Sequence, residues 1–180
     1  MSQSNNLAII INGPSSSGKT SVAKALQRKI GAPLLHFQLD MFWNMVPDHI
    51  EANSKNFPDM KDVLINTAQD LMSRHYSIVM DIVGNSENID KLKDALGNYK
   101  VYTVGLTARL DILQTREIER QNRKTGLAES QLSGFHENIS YDFFADSSDV
   151  SSEEIADNIL QDIKKRFSFT AAQDFPDPEL

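Results

Sequence analysis

The sequence predicts an α/β fold, a doubly wound sheet of five parallel strands flanked by helices. Three observations lead there. Apolar runs of strand length recur along the chain: LAIIIN at 7–12, LLHFQL at 34–39, YSIVM at 76–80, YKVYTVGL at 99–106 and DFFAD at 142–146. Segments with helical spacing separate them, the signature of parallel strands joined by crossover helices. The first run is almost unbroken by polar residues, as expected of a strand covered on both faces, and it leads into a glycine-bounded loop.

Taken in order, the elements have local causes. From Lys19 the spacing turns helical, with Val22, Ala23, Leu26 and Ile30 on one face, and Gly31 followed by Pro33 ends the helix. The second run, 34–39, predicts a strand closing at Asp40. Residues 41–58 (MFWNMVPDHIEANSKNFP) read as irregular. Asp59 is placed to cap a helix with Val63, Leu64, Thr67 and Leu71 along its buried side. The third run ends at Asp81. A short helix covers Ser86–Leu96, and a long charged helix runs from Ala108 into RKTGLAES, with further helix toward His136. Ser151-Ser152-Glu153-Glu154 has the form of a capping box, opening a helix that buries Ile155, Ile159, Leu160 and Ile163.

Bulk composition narrows the function classes. The 180 residues suit one domain over 1–166, with 167–180 a loose acidic tail. No cysteine is present, which excludes disulfides and thiolate metal sites. The four histidines show no zinc-binding spacing. A net charge of -7 argues against nucleic acid or anionic membrane as the main partner. No apolar stretch approaches the roughly 20 residues of a membrane span, and MSQSNN lacks the basic start of a signal peptide. The expected setting is cytoplasmic.

Function is most legible at GPSSSGKT, residues 13–20, which fits GxxxxGK[ST] between a strand and a helix. Such a loop turns several backbone N–H groups, and the positive end of the new helix, toward a phosphate. Gly13, Pro14, Ser15, Ser16, Ser17, Gly18, Lys19, Thr20 and Ser21 are therefore the expected nucleotide-binding residues. Lys19 would reach the β- and γ-phosphates, and Thr20 would ligate Mg²⁺. The spacing is not the GxGxxG of a dinucleotide fold. The expectation is thus a P-loop kinase-type sheet with ATP and Mg²⁺ as cofactors.

Two carboxylates at the same sheet edge have natural divided roles. Asp81 is expected to orient the metal. Asp40, followed by Phe42 and Trp43 as a wall for an organic substrate, is expected to take the acceptor proton. Arg116, Arg120 and Arg123 share one helical face, with Glu117 and Glu119 alongside. They predict an arginine-rich lid over about 116–135 that stabilises the moving phosphoryl charge, with Arg116 also touching the nucleotide and Arg120 and Arg123 acting in the transfer.

Together INGPSSSGKT, FQLDMFW, SIVMD, TREIERQNRKTGLA and FHENISYDFFAD resemble the chloramphenicol phosphotransferase family, from about Leu7 to Leu160. These are small P-loop kinases that transfer the γ-phosphate of ATP to an antibiotic hydroxyl. The resemblance implies that Asp40 is the general base, that Gly13 to Thr20 bind phosphate, and that Arg116, Arg120 and Arg123 form the lid. His136 and Tyr141 match family positions, where they are expected to brace the lid helix against the fifth strand. Residues 44–60 are shorter than in the antibiotic-modifying member and carry Asp48, His49 and Glu51, which leaves the acceptor open.

The predicted activity is ATP-dependent phosphorylation of a small-molecule hydroxyl. A kinase for another metabolite, of shikimate, gluconate or nucleoside type, uses the same machinery. Monophosphate acceptors rank lower because residues 41–60 offer only Lys55 as a cation. A nucleotide-binding regulatory module is the reading from another class, although the NKxD motif of a guanine-specific switch is missing.

Overall fold

The computed structural model describes residues 6–31, 33–119 and 126–167. Five strands form its sheet: β1 (Leu7–Asn12), β2 (Leu34–Gln38), β3 (Ser77–Ile82), β4 (Lys100–Thr107) and β5 (Phe143–Asp146). Their spatial order is β2-β3-β1-β4-β5, and every neighbouring pair is parallel. β1 is the central strand, and its residues are buried throughout. Alternate side chains serve opposite layers, as the two-residue period of a strand requires. Leu7, Ile9 and Ile11 pack with α1 (Lys19–Ile30) and α7 (Ser152–Phe167). Ala8 and Ile10 face α3 (Met60–Ser73) and α4 (Ser86–Ala95) on the other side.

Several boundaries follow sequence chemistry. α1 ends at Gly31, whose φ of 66° is left-handed and suits glycine. Asn85 caps α4, its side chain accepting from the Asn88 N–H. Ser151 Oγ accepts from the Glu154 N–H at 3.2 Å, as the capping-box pattern predicts for α7. α1 and α7 are also linked by exposed ion pairs, Arg28 to Glu153 and Lys29 to Asp157.

The structure corrects several expectations. β2 stops at Gln38, and LDMFW forms the short helix α2 (Leu39–Trp43), so Asp40 sits in a helical first turn rather than at a strand end. Asp81 lies inside β3, which continues to Ile82. α3 buries Leu64, Ile65, Ala68 and Met72. Val63 is 44% exposed, and Thr67 Oγ1 bonds back to the Val63 carbonyl, so the true apolar stripe is rotated from the predicted one. The Asp59 side chain makes no capping bond. β5 begins at Phe143 because Asp142 is spent on β4: its carboxylate accepts from the Thr103 N–H and hydroxyl at 2.7 and 2.9 Å.

The charged helix is described as α5 (Leu110–Glu119), and α6 (Leu127–Leu132) follows. Past α6 the chain is in turns, not helix, up to His136. Arg120, Arg123 and the tail from 168 onward lie outside the described residues. Among the described residues no helix is long and apolar enough to cross a membrane.

Candidate active site

The loop between β1 and α1 lies at the carboxyl ends of the strands, where open parallel sheets bind ligands. Its backbone is unusual in a way that fits an anion. Ser16 has φ 62° and Gly18 has φ 92°, a left-handed pattern that gathers N–H groups into a concavity. A Cβ at Gly13 would stand 2.2 Å from the Leu106 carbonyl oxygen, so this position admits only glycine. The Ser16 and Ser17 hydroxyls are buried without a hydrogen-bond partner among the described residues. Buried hydroxyls of this kind are costly unless answered, and phosphate oxygens are acceptors of the required sort. Lys19 is 8% exposed and folds back to donate to the Pro14 carbonyl at 2.8 Å.

Thr20 and Asp81 meet directly: the Thr20 hydroxyl donates to Asp81 Oδ2 at 2.8 Å. Asp81 is 6% exposed and has further donors. His36 Nε2 lies 3.0 Å from the same oxygen. Gln38, with its amide nitrogen turned to the carboxylate, reaches Oδ1 at 2.8 Å and Oδ2 at 3.1 Å. Neither His36 nor Gln38 was singled out from sequence. Both sit on β2, and Gln38 stands opposite Asp81 in the parallel ladder, a register that sequence does not reveal. Among the described residues no three His, Asp or Glu side chains cluster as a metal cage. Thr20 and Asp81 offer oxygen atoms of the kind that, with phosphate oxygens, could hold Mg²⁺.

Thr20, Gln38 and Asp81 line a cleft of about 340 Å³. Ser15, Lys19 and Thr20 of the loop and α1, Asp40 and Trp43 of α2, and Asn53 and Ser54 of the segment after α2 all line it. Phe42 instead packs against the core between the sheet and α3 and α4. Gln131 of α6 closes part of the cleft, its Oε1 accepting from the Ser15 N–H at 2.8 Å.

Arg116 lies beside the loop. It donates to the Ser147 hydroxyl at 3.0 Å and to the Ser147 carbonyl at 2.8 Å. Ser147 Oγ in turn donates to the Ser17 carbonyl at 2.8 Å. Ser21 lines a separate recess with Arg116 and Ser147 on the outer side of Gly18. Glu117 is buried, and its carboxylate accepts from the Gly126 N–H at 3.0 Å, which ties α5 to the residue before α6.

His136 and Tyr141 belong to a relay under the loop. Asn12 Nδ2 donates to the Tyr141 oxygen at 2.8 Å and to the Gly84 carbonyl at 2.9 Å, while its Oδ1 accepts from the Gly84 N–H. The Tyr141 hydroxyl is 2.9 Å from His136 Nδ1. Burial holds His136 below the ordinary imidazole value, helped by the charge of Lys19 and opposed by a bond to the Leu106 backbone. The Tyr141 oxygen accepts from Asn12, which leaves its hydroxyl proton for His136 Nδ1, and His136 Nε2 is buried. Its ring packs edge-on to Phe135, Tyr141 and Phe144. The relay ties β1, the turn after β3 and the approach to β5 together.

A parallel sheet in this order, with a glycine-bounded loop after its central strand, is the fold of the P-loop kinases. The chain belongs to the family described as chloramphenicol phosphotransferase-like protein, which it matches over residues 6–164. A protein of Mycobacterium tuberculosis (strain H37Rv), whose name proposes an O-phosphotransferase, is 25% identical over 178 residues, spanning 82% of this chain and 78% of its own. Two solved structures share the fold. A sugar kinase from Janibacter sp. HTCC2649 has a TM-score of 0.66 at 14% identity, covering 96% of this chain and 99% of its own. The shikimate kinase of Acinetobacter baumannii, solved with shikimate, has a TM-score of 0.66 at 16% identity, covering 91% and 95%.

Proposed function

We propose that this protein transfers the γ-phosphate of ATP to a hydroxyl group of a small molecule. One observation carries the reading: Asp40, Trp43 and the phosphate loop line a single cleft. An acceptor oxygen held between them would be close to both a proton acceptor and the transferable phosphate.

The roles divide by environment. Asp81 already accepts from Thr20, His36 and Gln38, so its oxygens are committed to holding the Thr20 side of the site. Asp40, at the first turn of α2 and on the lining of the cleft, takes the acceptor proton in this reading. The acceptor oxygen then bonds to the γ-phosphorus, the bond from that phosphorus to the β-bridging oxygen breaks, and ADP departs. Lys19 and the loop amides hold the triphosphate, and Thr20 with Asp81 would hold Mg²⁺. A bound Mg²⁺ supplies charge neutralisation at the phosphate oxygens. Arg116 braces the loop through Ser147. Arg120 and Arg123 complete the reading as lid cations on the strength of their spacing in the sequence.

The deciding experiment is ADP release from ATP and Mg²⁺, alone and with chloramphenicol and a panel of hydroxylated metabolites and antibiotics. Stimulation by one compound, with a phosphorylated product by mass spectrometry, establishes the activity and names the acceptor. Absence of any ATP affinity by calorimetry sinks the reading.

A further inference from the structure

Beside the main cleft lies a second cavity of about 190 Å³, between α3 and α4. Leu39, Leu64, Ile65, Ile82 and Leu92 give it an apolar lining, which the charged residues Asp62, Glu87 and Lys91 complete. The two cavities share Leu39, Lys61, Ile82 and Val83, so they are neighbouring parts of one hollow. Two polar links between α3 and α4 flank the second cavity: Lys61 to Asn88, and Asp62 to Lys91. The links are not equivalent. Asp62 and Lys91 neutralise each other. Lys61 Nζ donates at 3.0 Å to Asn88 Oδ1, an uncharged oxygen, and among the described residues no carboxylate lies within ion-pair distance of it.

This matters because Lys61 is half-buried. An ammonium has three donors, and partial desolvation raises the value of any anionic acceptor that can reach it. Lys61 lines the same cleft as Asp40, whereas Lys55, the cation visible within residues 41–60, lines neither cavity and is exposed. An anion at Lys61 would therefore sit beside an apolar recess on one side and the phosphoryl-transfer groups on the other.

We propose that Lys61 and the α3–α4 cavity form the recognition subsite for the acceptor. The acceptor is then a hydroxylated small molecule with an apolar body and one anionic oxygen group, a carboxylate or a phosphate. This inference rests on the phosphotransferase reading for the role of the cleft. Its test needs no turnover. The probes are small hydroxy carboxylates and hydroxyalkyl phosphates, each paired with an uncharged amide or ester of similar size. They are titrated into the full chain and followed by backbone amide NMR, with and without a non-hydrolysable ATP analogue and Mg²⁺.

The expected result is that anionic members shift the amides of residues 61, 82–84 and 88, and that their uncharged partners bind at least tenfold more weakly. Lys61→Met should abolish that preference, and Lys61→Arg should retain it. The carboxylate and phosphate arms show which anion fits. Equal binding of uncharged partners, anion binding unaffected by Lys61→Met, or no anionic member shifting these amides would each overturn the proposal. Binding of the ATP analogue is read in the same samples, so a failed kinase reading is seen separately from a failed subsite.

Discussion

Thr20 Oγ1 and Asp81 Oδ2, 2.8 Å apart, join the first turn of α1 to the carboxyl-terminal end of β3. Asp81→Asn removes the charge that steadies this hydroxyl. Mutating such supporting groups commonly costs about 10–100-fold in metal affinity or activity. Calorimetry of a non-hydrolysable ATP analogue over a range of Mg²⁺ should show a loss of that size, with much less change in metal-free binding. An unchanged Mg²⁺ dependence would remove Asp81 from the metal site.

Asp40→Asn should lower phosphoryl transfer by about 10²–10⁴-fold, the usual contribution of a general base, while nucleotide affinity stays close to that of the parent protein. Single-turnover transfer with the identified acceptor measures this. Full turnover in the variant would assign the proton to another group.

Gln131 occupies the Ser15 N–H in this structure. A bound phosphate oxygen competes for the same donor. Gln131→Ala should raise affinity for the ATP analogue by about 2–10-fold, the equivalent of one modest hydrogen bond. Weaker binding in the variant would mean that Gln131 contacts the nucleotide itself.

Gly105 on β4 has no room for a side chain: an added Cβ would stand 2.6 Å from the Phe144 ring and 2.7 Å from the Tyr141 ring. Gly105→Ala should destabilise by about 1–3 kcal/mol through overpacking and lower the melting temperature by several degrees. It should also loosen the Tyr141–His136 relay. A wild-type melting curve would show that the aromatic cluster yields easily.

Tyr102 is fully buried and donates to Asp162 at 2.6 Å. Burial first, and then that bond, push its phenol far above the ordinary value of 10.0. The folded chain keeps this proton while the unfolded chain gives it up as pH rises past about 10. The contribution is whole below that pH and declines above it. Denaturant titrations should show stability falling on the alkaline side, and Tyr102→Phe should make that fall shallower. An identical slope in both proteins would exclude Tyr102 as its source.

The central architecture is legible because local chemistry and burial agree there. LAIIIN, GPSSSGKT and the stripe of Val22, Ala23, Leu26 and Ile30 each specify one structure. Asp40 was placed one element out because LLHFQLDMFW is apolar enough to hide the turn from strand to helix. The α3 face was misread because Val63 is apolar yet exposed, while Ile65, Ala68 and Met72 carry the contact. His36, Lys61 and Gln131 became visible only through packing. Each reaches the site from an element whose register and tilt depend on the rest of the chain.

β1 and its loop occur early in the chain, yet the ladders that hold β1 come from Ser77–Ile82 and Lys100–Thr107. Contacts spanning that much sequence form slowly, and a chain leaving the ribosome cannot make them until the later strands have emerged. The nucleotide loop is therefore written early and assembled late. Until β4 arrives, the apolar run at 7–12 lacks one of its two flanking strands, and this is the interval in which a nascent chain has most need of protection.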